Sequence, residues 1–169
     1  KLSRRIMAAP IRILIDGYNL LHQWRDLAPQ APRHTEEARE ALISALVQYG
    51  DWTEVPITVG FDGTGGRASR AQSEKRHDLE VVFSPKGETA DSVIERVTHL
   101  LQPYGSPLVV TDDSMQRHTI VALGGATVGC HIFIAQVEEI LNRATDAIRW
   151  HNSHTQGSFN QPKKKKRRR

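Results

Sequence analysis

Short apolar runs alternate with amphipathic helical segments along this chain of 169 residues, and no other feature restricts its fold as much. The runs cover residues 11–15, 56–61, 79–83 and 108–110, with a shorter fifth run at 127–128. They are largely continuous, which is typical of strands that are buried on both faces of a parallel sheet. The sequence therefore predicts an α/β fold, a single domain with a mostly parallel sheet and helices on both faces.

The segments between these runs carry apolar residues at helical spacing. Thr35 and Thr89 stand directly before two of the segments, where N-caps are expected. The predicted helices span residues 19–24, 36–49, 90–101, 114–123 and 131–150. Residues 63–76 contain three glycines and four basic residues, so they are predicted to form a long polar loop.

Positive charge is concentrated at the two ends of the chain. The last seven residues are all Lys or Arg, so the net charge of +4 becomes −3 without them. Without Lys1, Arg4 and Arg5 as well, the balance is −6, and the body of the protein is acidic. We therefore expect an N-terminal basic extension (1–10), a folded domain (11–150) and a disordered basic tail (151–169).

Composition also gives an expectation for the cellular location. Hydrophobic residues make up 38% of the chain and charged residues 25%, and no apolar run approaches the roughly 20 residues of a membrane span. The basic N-terminal segment lacks the apolar centre of a signal peptide. Cys130 is the only cysteine, which precludes an internal disulfide and fits a reducing compartment. We therefore expect a cytoplasmic protein without a membrane partner.

A carboxylate follows each of the four longer predicted strands. Asp16 ends the first strand, Asp62 follows the second, and Asp112 and Asp113 follow the fourth. Asp91 lies in the first turn of the helix that comes after the third strand. Taken singly, these residues are ordinary helix caps or turn residues before glycine. In a parallel sheet, however, all of them converge at the edge formed by the carboxyl ends of the strands.

Five carboxylates in one crevice repel each other strongly unless a cation neutralises them. Oxygen ligands without a cluster of His or Cys favour Mg²⁺ or Mn²⁺ over zinc. The sequence therefore predicts a divalent metal site.

Basic residues supply candidate contacts to a polyphosphate backbone. Four lie in the predicted loop, at Arg67, Arg70, Lys75 and Arg76. Seven form the tail, at Lys163, Lys164, Lys165, Lys166, Arg167, Arg168 and Arg169. Nucleic acid attracts such groups. An ordinary solvated loop, a solubilising tail and a nuclear-targeting signal are the alternatives.

Three motifs carry a resemblance to a known family. "ILIDGYNLLH" resembles the first motif of the NYN domains, a branch of the PIN-like nucleases. "KGETADSVIERV" resembles the central motif of the YacP-like branch, and "VVTDD" resembles its third acidic motif, in the same order and spacing. The resemblance covers roughly residues 11–150.

This resemblance implies a Rossmann-like (PIN-like) fold and metal-dependent endoribonuclease activity. It maps the catalytic positions onto Asp16, Asn19, Asp91 and Asp112, with Asp62 and Asp113 as supporting metal ligands. The YacP-like branch is similar to ribosome-associated enzymes that cut messenger RNA during translation. The implied substrate is therefore single-stranded RNA, specifically mRNA on or near the ribosome.

Two other functions compete with this hypothesis. A non-catalytic RNA- or ribosome-binding module could keep the same fold, although the full acidic set argues against it. A phosphatase-like phosphotransferase usually has a second Asp two residues after its nucleophilic Asp. Two residues after Asp16 stands Tyr18, which argues against this alternative.

Overall fold

The computed structural model describes residues 9–63, 72–85 and 87–159. The strands are β1 (Ile13–Asp16), β2 (Ile57–Phe61), β3 (Gln72–Arg76), β4 (Leu79–Phe83), β5 (Leu108–Val110) and β6 (Ala126–Val128). The α-helices are α1 (Gly17–Gln23), α2 (Glu36–Thr53), α3 (Ala90–Leu101), α4 (Ser114–Ala122) and α5 (Cys130–Phe159). A short 3₁₀ helix, Gln102–Tyr104, follows α3.

The six strands form one sheet in the order β3-β4-β2-β1-β5-β6. Every neighbouring pair is parallel except β3 and β4, which are antiparallel. The chain starts at the centre with β1, builds outward through β2 and β4, and then crosses to β5 and β6 on the other side. The point where the strand order reverses therefore lies between β1 and β5, where ligands bind in open parallel sheets.

Both faces of the sheet are covered by helices, as the continuous apolar strands predicted. Ile13 and Ile15 point to one face and join the core built with α1, α2 and α5. Leu14 points to the other face and packs with apolar residues of α3 and α4. The alternation follows from the two-residue period of a strand. The predicted α/β class with a mostly parallel sheet is confirmed.

The predicted loop at 63–76 is wrong over its last five residues, which form β3. Residues His77 and Asp78 make a tight turn, and β3 then pairs antiparallel with β4. The segment has no apolar pattern because it is an edge strand with charged side chains. This segment forms a strand because its backbone pairs with β4. Hydrophobic periodicity does not predict such pairing.

The last helix is longer than predicted, because α5 continues from Cys130 to Phe159. The prediction of a disordered tail from His151 onward is therefore wrong for residues 151–159. Residues 160–169 lie outside the described part of the chain. The apolar stripe ends before this extension, so periodicity alone placed the end of the helix too early. In none of the described segments is a helix both long and apolar enough to cross a membrane.

The connection between α1 and α2 is organised around Arg33. Its guanidinium donates hydrogen bonds of 2.7–3.3 Å to five main-chain carbonyl oxygens. These belong to Leu21, Trp24, Leu27, Ala28 and Ala31. One side chain thus supplies a charged donor to the carbonyl groups of this connection, of which those of Trp24 and Ala28 also accept from backbone N–H groups.

We expect Arg33→Met to lower the free energy of unfolding by about 2–4 kcal/mol, because the apolar stem remains while several partly buried carbonyls lose a charged donor. Urea unfolding followed by circular dichroism measures this change. Arg25→Met, an exposed substitution in the same connection, is the matched control and should change the value by less than about 0.5 kcal/mol. Equal effects of the two substitutions would contradict the assigned role.

Candidate acidic site at the carboxyl edge of the sheet

Asp16 lies at the start of the candidate site, where β1 becomes α1. It is the last residue of β1 and the N-cap of α1, and its Oδ1 accepts a hydrogen bond from the Asn19 backbone N–H at 3.1 Å. The next residue must be small, since a Cβ on Gly17 would come within 2.2 Å of the Phe61 ring. This close packing sets the sharp strand-to-helix turn that presents Asp16 at the edge of the sheet.

Asp62 and Asp91 are brought to the same edge through α3. The Oδ1 of Asp62 accepts a hydrogen bond of 2.7 Å from the backbone N–H of Ala90, the first residue of α3. Thr89 caps this helix by accepting from the Ser92 N–H at 3.2 Å, as the sequence predicted. Asp91 is therefore not the cap of α3, and its side chain remains available for another role.

Asp112 and Asp113 follow β5 and hold the starts of two helices. The Oδ1 of Asp112 accepts from the backbone N–H of Cys130, the first residue of α5, at 3.0 Å. The Oδ1 of Asp113 accepts from the N–H groups of Met115 and Gln116 at 2.7 and 3.2 Å and caps α4. The ordinary interpretation of Asp113 as a cap thus agrees with the structure, and it coexists with a position beside the other carboxylates.

The carboxylates at this edge influence one another electrostatically. The pKa of Asp16 is raised to about 6, mainly by burial and also by the charges of Asp91 and Asp62, while the Asn19 N–H opposes the shift. Burial likewise raises the pKa of Asp91, with contributions from the charges of Asp113 and Asp62. The edge therefore carries concentrated negative charge that is incompletely solvated.

The thiol of Cys130 is not a nucleophile in this environment. Burial raises its pKa to about 12, and the neighbouring Asp112 adds to the shift. With 1% exposure, Cys130 is a small residue packed in the core.

The chemistry of these donors fits a hard divalent cation, since all are carboxylate oxygens. Their side chains are not gathered into a finished ligand set, however. Across residues 9–63, 72–85 and 87–159, no three His, Cys, Asp or Glu side chains form a group that could hold a metal ion as they stand. Asp16, Asp62, Asp91, Asp112 and Asp113 as a five-ligand metal site therefore stay a prediction.

Of the basic residues predicted to contact RNA, those in the described part of the chain do not lie at the acidic edge. Lys75 and Arg76 lie on β3 and pair with the first two residues of β4, at the opposite end of the sheet. Arg76 also forms a bidentate ion pair with Glu40 at 2.6 and 3.1 Å. The prediction that these two residues lie in a loop is wrong, and β3 carries them away from the carboxylates. Arg67, Arg70 and the tail residues 163–169 lie outside the described residues.

Asn19 lies at the site, but the contact that it makes there is through its backbone. Its N–H holds Asp16, whereas no described hydrogen bond involves its side-chain amide. The contact of Asn19 with Asp16 therefore depends on the backbone, and the catalytic position predicted for Asn19 stays a prediction.

Sequence reasoning missed Gln116, which is 5% exposed and donates from Nε2 to the Oδ1 of Asp91 at 2.6 Å. A signal was available: Asp113 and Gln116 stand three residues apart at the start of α4, the spacing of a capping box. That pattern predicts a local contact, whereas the amide reaches a different helix.

Comparisons with known proteins agree with this architecture. A family model described as the YacP-like NYN domain matches residues 13–169, a range that includes the basic tail. An uncharacterized protein YacP from Bacillus subtilis (strain 168) is 28% identical over 138 residues, which cover 81% of each protein.

Solved structures show the same similarity. A crystal structure of Rae1 (YacP) from Bacillus subtilis has a TM-score of 0.72 at 27% identity, covering 86% of this chain and 84% of that one. The crystal structure of a tryptophan-to-leucine mutant of the same Bacillus subtilis protein has a TM-score of 0.70 at 28% identity, covering 84% of this chain and 83% of that one.

The matched range contains all three acidic motifs and every strand of the sheet. The match and the similarity to YacP and Rae1 support a nuclease-like, RNA-related function. The chain belongs to the YacP-like NYN domain family.

Proposed function

We propose that this chain is a divalent-metal-dependent endoribonuclease that hydrolyses phosphodiester bonds in single-stranded RNA. The observation that carries the proposal is the convergence of carboxylates at the carboxyl edge of the sheet, where burial and the charges of Asp91 and Asp62 raise the pKa of Asp16 to about 6. Strongly perturbed carboxylates beside the switch point of a parallel sheet are typical of functional sites. A cation at this edge would relieve the charge repulsion that the fold otherwise leaves in place.

In this proposal Asp16, Asp91 and Asp112 hold Mg²⁺ or Mn²⁺. When bound, such an ion supplies charge neutralisation at the scissile phosphate and activates water as a nucleophile. Asp62 and Asp113 support the site by fixing the first turns of α3 and α4 through backbone N–H groups. The N-termini of these helices add positive potential at the same edge, which favours a phosphate there.

We further propose that the substrate is mRNA on or near the ribosome, in the cytoplasm. The similarity to the YacP-like family supports a substrate of RNA. The distribution of charge supports a role for the ends of the chain in binding RNA, since the body is acidic and the last seven residues are all cationic. A cationic tail supplies affinity for RNA that is independent of sequence and sensitive to salt.

We expect Asp16→Asn and Asp112→Asn each to reduce RNA cleavage at least roughly 100-fold, because each removes a charged ligand while preserving shape. The measurement is cleavage of a single-stranded RNA with Mg²⁺ or Mn²⁺, with EDTA as the metal-free arm. Asp51→Asn, at an exposed carboxylate on α2, is the matched control and should cut normally.

Unchanged cleavage by both site variants would refute the assignment. RNA binding by the unaltered protein without any metal-dependent cleavage would favour the alternative, a non-catalytic RNA- or ribosome-binding module.

Asp16 should also leave a signature in the stability of the metal-free protein. Because its pKa is higher in the folded chain than the ordinary 3.8, the folded state binds the proton more tightly. The stability from this group is present below about pH 4 and is lost as pH rises through about 6. We expect Asp16→Asn to raise the unfolding free energy at pH 7 by about 1–3 kcal/mol, and by much less at pH 4.

Urea unfolding in EDTA at pH 4, 5, 6 and 7 measures this difference, with Asp51→Asn as the reference. If the difference in unfolding free energy between Asp16→Asn and the unaltered protein did not change with pH, the proposed origin of the raised Asp16 pKa would be contradicted.

The tail can be tested by removing residues 163–169. We expect the shortened protein to bind single-stranded RNA more weakly, with a salt dependence of log K whose slope is smaller by up to about 5, because seven cations release counterions on binding. Filter binding at several salt concentrations measures the slope. Co-sedimentation of the full and shortened chains with ribosomes, followed by mapping of cut ends, tests the ribosomal part of the proposal. An unchanged slope would exclude the tail from the interface.

A further inference from the structure

Asp91 differs from the other four carboxylates in what holds it. Asp16, Asp62, Asp112 and Asp113 each accept a hydrogen bond from a backbone N–H group at the start of a helix. Asp91 instead accepts from a side chain on another helix, the amide of Gln116. Among the described residues, the hydrogen bond to the side chain of Asp91, in the first turn of α3, comes from this amide and not from a backbone N–H.

Gln116 is itself fixed by its surroundings. Its side chain is buried, its backbone N–H is held by the Oδ1 of Asp113 at 3.2 Å, and it lies in the first turn of α4. A capping box would turn its side chain back toward the N–H of Asp113. That N–H is already bonded to the Oγ1 of Thr111 at 3.1 Å, which leaves the Gln116 side chain to cross from α4 to α3.

The chemistry of the donor matters as much as its position. A Lys or Arg at this place would neutralise Asp91 and compete with a cation for it. A neutral amide orients one oxygen of the carboxylate, and lowers its pKa, without bringing a positive charge to the edge. The hydrogen bond of 2.6 Å uses Oδ1 of Asp91 and does not engage Oδ2.

We infer that Gln116 is a positioning residue that orients the Asp91 carboxylate for the divalent cation and links α4 to α3 for that purpose. The inference rests on the proposed function and deepens it. Residues that orient metal ligands in this way typically change metal affinity or activity roughly 10–100-fold when replaced. The effect acts through Asp91, so it should alter metal affinity and turnover rather than the binding of RNA.

The test compares two replacements in the full chain. Gln116→Met keeps the length and volume of the side chain and removes the donor, whereas Gln116→Ala removes both. Gln136→Met, at an exposed glutamine on α5, is the matched control. Mn²⁺ binding is measured by electron paramagnetic resonance without RNA, and kcat and KM are measured for RNA cleavage at subsaturating Mn²⁺. Circular dichroism verifies that each variant is folded.

We expect both Gln116 variants to bind Mn²⁺ roughly 10–100-fold more weakly and to lose kcat with KM for RNA unchanged. Normal Mn²⁺ affinity in Gln116→Met with a defect only in Gln116→Ala would mean that the residue fills space, and would overturn the inference while leaving the proposed function intact. Absence of Mn²⁺ binding and of cleavage in the unaltered protein would overturn both.

Discussion

Hydrogen bonds between carboxylates and the starts of helices are the interaction on which the acidic edge of this protein depends. Parallel strands deliver Asp16, Asp62, Asp112 and Asp113 to one edge, and the helices that follow leave unpaired backbone N–H groups there. Each carboxylate takes up at least one of these donors. The same bonds therefore begin the helices and fix the acidic side chains, so a structural role and a functional role do not exclude each other.

The hydrogen bond from the Asn19 N–H does not fully offset the cost of burying the Asp16 charge. The Asn19 N–H opposes the upward shift of the Asp16 pKa, yet burial and neighbouring charge dominate and raise it to about 6. A fold selected for stability alone would avoid this arrangement, because the buried charge weakens the folded state near neutral pH. Retaining it is typical of a site that binds a positive partner.

The sequence predicted the parts of the fold that depend on local pattern. Strand β5 begins and ends where the apolar run does, and Thr35 and Thr89 cap α2 and α3 as expected. These features are encoded by neighbouring residues, through buried apolar runs and through side chains that bond to helix N–H groups two or three positions away. Strand β3 was missed because its order comes from pairing with β4 and not from its own side chains.

In the candidate site too, the sequence predicted the features that local pattern encodes and missed those that depend on chain direction. Motif order and strand-end position identified the five aspartates, because a parallel sheet brings the carboxyl ends of its strands together whatever lies between them. The positions of Lys75 and Arg76 were mistaken because the antiparallel direction of β3 carries them to the far end of the sheet. Chain direction at an edge strand cannot be read from composition.

By itself, the sequence determined the alternation of strands and helices, the acidic residues at the ends of β1, β2 and β5, and the family to which the chain belongs. Only the tertiary structure decided which backbone N–H each carboxylate binds, how far the pKa of Asp16 rises, and that Gln116 reaches Asp91 from another helix. Periodicity and capping operate over a few residues of one segment. Contacts between helices and the loss of solvent around a charge depend on how distant segments pack, and no local pattern contains that information.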